Sequence, residues 1–72
     1  MPKLPVLSGA EVVRLLQRLG FELIRQRGSH AILRKGSRGC VVPMHKEVRT
    51  GTLASILRQA GVSYDDFLKA AE

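Results

Sequence analysis

Two hydrophobic periods alternate along this chain. Val12, Leu15, Leu16 and Leu19 recur at i, i+3, i+4 and i+7, with Arg14, Gln17 and Arg18 on the other faces, which is the signature of an amphipathic helix. Ser8-Gly9-Ala10-Glu11 precedes that stripe with capping-box spacing: the serine oxygen accepts a backbone N–H while the glutamate returns to the serine N–H. Gly20 suits a left-handed exit, so the pattern predicts a helix over residues 9–19.

The period then shortens. Phe21-Glu22-Leu23-Ile24-Arg25-Gln26 and Ser29-His30-Ala31-Ile32-Leu33-Arg34 are rich in strand formers, separated by a turn at Arg27-Gly28. A second turn at Gly36-Ser37-Arg38-Gly39 leads into Cys40-Val41-Val42, which Pro43 ends because it has no N–H for the ladder. Three short antiparallel strands follow from this. In the middle strand His30, Ile32 and Arg34 share one face, and Ser29, Ala31, Leu33 and Lys35 share the other. Ala31 and Leu33 are the expected core side. The opposite choice would bury His30 and Arg34 with no carboxylate partner in view. His30 should then face solvent.

After the loop Met44-His45-Lys46-Glu47-Val48-Arg49 the helical period returns at Leu53, Ile56, Leu57 and Ala60, with Gly61 at the helix end. Ser63-Tyr64-Asp65-Asp66 is another capping signal, opening a short final helix with Phe67 and Leu68 as its apolar contacts. The order helix, three strands, helix, short helix predicts one α+β domain over residues 1–72, its helices packed on one face of a three-stranded antiparallel sheet. Double-stranded-RNA-binding domains share this order, although fold alone says little about function.

Composition narrows the picture. A 72-residue chain has room for one thin core and buries about 60% of its unfolded surface. The single cysteine, Cys40, cannot form an internal disulfide, and with two histidines it falls short of a four-ligand zinc pattern. No metal and no cofactor are expected. A reducing compartment fits best. The stretch MPKLPVLSGAEVV lacks an apolar core of signal-peptide length, and no segment approaches the roughly 20 apolar residues of a membrane span. A cytoplasmic protein without a membrane partner is the expectation.

The net charge of +6 is unevenly spread. Arg25, Arg27, Arg34, Lys35, Arg38, Lys46 and Arg49 outweigh Glu22 and Glu47 in residues 21–49, whereas residues 50–72 carry more acid than base. Such a local field draws phosphate backbones or an acidic protein. A solubility surface would account for the total equally well, so charge alone does not choose.

Motifs carry the argument further. Arg27-Gly28-Ser29-His30 sits at the second strand, Val42-Pro43-Met44-His45-Lys46 follows the third, and Gly51-Thr52-Leu53 opens the helix that continues through Ile56-Leu57-Arg58-Gln59-Ala60-Gly61. Together these segments resemble the HicA (YcfA-like) toxins over roughly residues 8–68. Gly-Ser-His on a second strand, then Pro-x-His, then Gly-Thr-Leu, is a specific combination, although each piece alone is weak. Thr50 stands where relatives often have a proline.

The resemblance implies the toxin of a type II toxin-antitoxin system: a metal-independent endoribonuclease acting on mRNA, bound in the resting cell by a HicB-type antitoxin. The family's active histidine, on the second strand, matches His30, and a second recurrent histidine matches His45, on which not every member depends. Cutting RNA without metal needs a base for the 2′-hydroxyl proton and an acid for the leaving 5′-oxygen, tasks that histidine suits near neutrality. Charge developing on phosphorus needs cations, for which Arg25, Arg27, Arg34, Lys35 and Lys46 are the candidates. Within this expectation His30 is general base or acid, Arg34 and Lys46 hold phosphate, and His45 assists or orients.

Plainer explanations stand beside each of these. Absent the resemblance, an exposed histidine is more often idle than catalytic, and His45 in a polar loop could serve only a local hydrogen bond. Ser29 lacks an acidic third partner for a triad, Gly28 relieves a turn, and Gly51-Thr52 is explained by helix initiation. With only Phe21, Tyr64 and Phe67 as aromatics, base stacking has little to work with, so contacts to RNA backbone are expected. A non-catalytic RNA-binding module would use the same basic sheet. A module that only docks an acidic protein would use it too. A DNA-binding helix-turn-helix ranks last, because Tyr64-Asp65-Asp66 would point carboxylates at phosphate.

Overall fold

The computed structural model describes residues 6–71. Residues 1–5, with Lys3 and the start of the N-terminal stretch read above, lie outside it, as does Glu72. The element order is α1 (Gly9–Arg18), β1 (Glu22–Arg27), β2 (His30–Lys35), β3 (Arg38–Pro43), α2 (Thr50–Ala60) and α3 (Tyr64–Ala70). This is the expected α+β layout, a three-stranded antiparallel sheet in the order β1-β2-β3 with three helices.

The helix starts follow the capping chemistry. Ser8 Oγ accepts from the Glu11 N–H at 3.1 Å while the Ser8 N–H donates to Glu11 Oε1 at 3.0 Å. Ser63 Oγ accepts from the Asp66 N–H at 3.1 Å. α2 starts at Arg49, which makes no side-chain cap bond, and it ends on Gly61 in the left-handed region.

Both hairpins turn more tightly than the sequence pattern suggested. Gly28-Ser29 and Gly36-Ser37 are two-residue loops, with Arg27 paired to His30 and Lys35 paired to Arg38. The glycines have φ of 59° and 60°, and no non-glycine residue described has positive φ. A glycine-first loop of this kind is the type II′ pattern, whose twist matches that of the flanking strands. The chain is therefore handed back at once. β3 begins at Arg38 rather than Cys40, and β2 begins at His30 rather than Ser29. β1 starts one residue after Phe21, which is buried beside it.

The core lies between the sheet's inner face and the helices. Val12 and Leu16 of α1, Ala31 and Leu33 of β2, Cys40 and Val42 of β3, Leu53, Ile56 and Ala60 of α2, and Phe67 of α3 are buried in one cluster. Leu19 and Leu68, expected in the core, are only partly buried. Val48, from the loop after β3, joins the core and forms an isolated antiparallel bridge with Leu7. No helix described is long and apolar enough to cross a membrane.

Candidate functional site

All three helices pack on one side, so the other face of the sheet is bare. On β2 the alternation resolves as expected, with Ala31 and Leu33 buried and His30 and Arg34 exposed. Residues directly opposite in an antiparallel pair share a face. His30 pairs with Arg27 on one side and Pro43 on the other, Ile32 with Arg25 and Val41, and Arg34 with Glu22 and Gly39. The outer face thus carries His30, Arg25, Arg27 and Arg34 around a central apolar row.

Arg25 and Arg27 reach this face through an irregularity. Pairing runs Leu23↔Leu33 and then Arg25↔Ile32, which leaves Ile24 as an extra residue in a β-bulge. Regular alternation from Leu23, which opposes buried Leu33, would have turned Arg25 and Arg27 toward the helices. One inserted residue reverses the phase. Beyond it Gln26 opposes Ala31 on the inner side, and Arg27 opposes His30 on the outer side. Ile24 and Val41, at 52% and 42% exposure, flank Ile32 in a row across the three strands. That row is the part of the face that phosphate recognition does not call for.

His45 and Lys46 lie in the loop after β3, and both are exposed. Their loop is fixed by backbone hydrogen bonds. The Met44 N–H donates to the Ser29 carbonyl at 2.6 Å, next to His30, and the Val48 N–H donates to the Leu7 carbonyl at 2.6 Å. Between them the His45 carbonyl accepts from the Gly9 N–H at 2.9 Å. His45 therefore follows two residues after Pro43, the residue that opposes His30.

Lys35 stands apart from the other candidates. It shares the inner side with Ala31 and Leu33, and its Nζ donates to the Leu19 carbonyl at 2.8 Å, 6.0 Å from the centre of the Phe21 ring. Gly20, at φ 100°, makes room for it. The lysine thus serves the C-terminal end of α1, where a cation is favoured by the helix dipole, and not the face of His30.

Two groups have displaced titrations. Burial pushes the Cys40 thiol up, so it is a core residue and a poor nucleophile. The Ser8 backbone N–H, then the Ser8 hydroxyl, and the charge of Arg14 hold the Glu11 carboxyl below its ordinary value. Among the described residues no three His, Cys, Asp or Glu side chains group so as to hold a metal ion.

Three participants escaped the sequence reading: the Ile24 bulge, Val48 and Gly9. A bulge leaves no distinct residue signature in a strand of mixed polarity. Val48 sits alone in a polar loop, with no period to mark it. Gly9 was visible only as a residue inside a capping box.

A small α+β domain with a bare cationic sheet face, a histidine in its hairpin and a clamped second histidine defines the class: compact basic domains built to meet a polyanion or an acidic partner. The family model for the HicA toxin of bacterial toxin-antitoxin systems matches residues 9–62, and the chain belongs to that family. It is a toxin of a toxin-antitoxin system, and membership implies a cognate antitoxin as its partner. No curated protein matches the chain.

Proposed function

We propose that this toxin is a metal-independent endoribonuclease that cleaves mRNA in the cytoplasm, with His30 as the acid/base residue. The observation that carries the reading is the position of His30. It is exposed on the one sheet face left free by the helices, opposite Arg27 and on the same face as Arg25 and Arg34. His30 takes the 2′-hydroxyl proton as that oxygen attacks the adjacent phosphorus, or protonates the leaving 5′-oxygen. Arg25, Arg27, Arg34 and Lys46 hold the phosphate and stabilise the charge that develops on it. His45 assists or orients from the clamped loop. Bond making and breaking at one phosphorus leaves a 2′,3′-cyclic phosphate and a 5′-hydroxyl.

The same face accounts for inhibition. A HicB-type antitoxin with an acidic and partly apolar surface would cover His30 and its arginines. The Ile24, Ile32 and Val41 row supports this, because an exposed apolar row rimmed by charge suits a protein partner better than it suits RNA.

The test is cleavage of a long RNA by purified protein in excess chelator, comparing wild type with His30→Ala after both are confirmed folded. Cleavage by wild type alone, with cyclic-phosphate ends, is the expected result. Equal cleavage by both would remove His30 from the chemistry. Binding by both without cleavage would make the face a non-catalytic RNA-binding surface.

A further inference from the structure

Gly9 differs from the glycines of the turns. Gly20, Gly28, Gly36 and Gly61 have positive φ, and Gly9 does not, so nothing in its backbone conformation asks for glycine. The requirement is steric. A Cβ built at Gly9 would overlap the Pro43 carbonyl oxygen and lie 2.7 Å from Met44 Cα. Both contacts are backbone, and neither can swing aside as a side-chain tip would.

The same residue makes a bond that the helix itself cannot supply. Gly9 is the first residue of α1, and the first N–H groups of a helix have no intrahelical partner. The Ser8–Glu11 capping box serves the Ser8 and Glu11 amides, leaving the Gly9 N–H to donate to the His45 carbonyl. The loop caps the helix and the helix holds the loop.

We propose that Gly9 is a positioning residue of this site: its missing side chain lets the first turn of α1 close on Pro43 and Met44, and its N–H fixes the His45–Lys46 loop beside the His30 strand. The inference rests on the RNA-cleavage reading for its effect on turnover, but not for the geometry it asserts. In Gly9→Ala the helix and the loop must separate. Met44 stays tied to Ser29 and Val48 to Leu7, so the displacement falls on His45 and Lys46. The arginines of the sheet stay where they are.

The experiment compares wild type, Gly9→Ala and Ala60→Gly by RNA cleavage and by NMR of the histidine rings. Ala60 is buried in the last turn of α2, at the end of the sheet where Arg38 reaches the Gly61 carbonyl, and so reports stability loss without touching the loop. Gly9→Ala should lower kcat by about 10- to 100-fold, the range a misplacement of about 1 Å produces, with little change in KM. Its His45 ring signals should move while those of His30 stay, and Ala60→Gly should keep wild-type kcat. Wild-type kcat in Gly9→Ala, or a loss that Ala60→Gly reproduces at equal Tm, overturns the proposal.

If wild type does not cleave RNA, the cleavage reading fails and the ring spectra alone decide: an unmoved His45 overturns the positioning role, and a displaced one supports it. If Gly9→Ala does not fold, the wild-type Gly9 amide carries the test. Slow exchange, comparable to the Val12 amide inside the helix, is expected, and solvent-like exchange would overturn the clamp.

Discussion

Six of the cations in this small domain divide into two sets that the net charge does not distinguish. Arg18, Lys35 and Arg38 each donate to a carbonyl at the C-terminal end of a helix from another element: Ala70 of α3 at 2.8 Å, Leu19 of α1 at 2.8 Å and Gly61 of α2 at 3.3 Å. Arg25, Arg27 and Arg34, on the outer sheet face, make no side-chain hydrogen bond among the described residues. The first set satisfies orphaned carbonyls and complements the helix dipoles. The second set is left for a ligand. A count of basic residues therefore overstates the charge available for RNA, and topology decides which cations are committed to the fold.

The sharpest contrast should appear between neighbours on β2. Leu33 is fully buried on the inner face, and Leu33→Ala should cost about 2–5 kcal/mol by urea denaturation. Arg34→Ala, one residue on, should cost less than about 0.5 kcal/mol and lower RNA affinity instead. A large stability loss at Arg34 would break the division.

Among the free cations, Arg25→Gln, Arg27→Gln and Arg34→Gln should each weaken RNA binding and reduce the salt dependence of log K by about 0.7 on single-stranded RNA. Deleting Ile24 removes the bulge and turns Arg25 and Arg27 inward. Affinity should then fall about as far as in the double Arg25→Gln/Arg27→Gln variant, measured in the same titration. Full affinity in the deletion would mean that strand phase does not matter.

The helix-end cations should behave in the opposite way. Lys35→Met and Arg38→Met should each cost about 0.3–1 kcal/mol of stability, read as a lower Tm, with RNA affinity nearly unchanged. An affinity loss at Lys35 as large as that at Arg34 would merge the two sets.

The smallest expected effect is at Glu11. Its carboxyl titrates below the ordinary value in the folded protein, so the capping contribution is complete above the unfolded-state value and is lost as pH falls through the lowered one. In Glu11→Gln the decline of Tm over that acidic window should be shallower than in wild type. Identical acid profiles would remove Glu11 from the cap's charge balance.

Much of this was legible from residue patterns, for physical reasons. Both serine caps, the buried helix stripes and the inward choice of Ala31 and Leu33 rest on local rules with fixed spacings. His30 on the bare face followed from the cost of burying it beside Arg34. What escaped depends on non-local contacts. Lys35 was placed on the core side of β2, but its bond to Leu19 needed the hairpin and α1 brought together. The role of Gly9 depends on Pro43, more than 30 residues away. The phase of Arg25 and Arg27 turned on a single unpaired residue.

The central claim is that the outer sheet face, and not the helix surface, meets RNA. The most direct measurement is titration of the ¹⁵N-labelled protein with a short 2′-O-methyl RNA, which lacks the attacking hydroxyl, while following backbone amides and histidine rings. The account predicts shifts centred on Arg25, Arg27, His30 and Arg34 and extending to His45 and Lys46, with α2 and α3 quiet. Shifts centred on Arg14, Arg58 and Lys69 of the helices would contradict it.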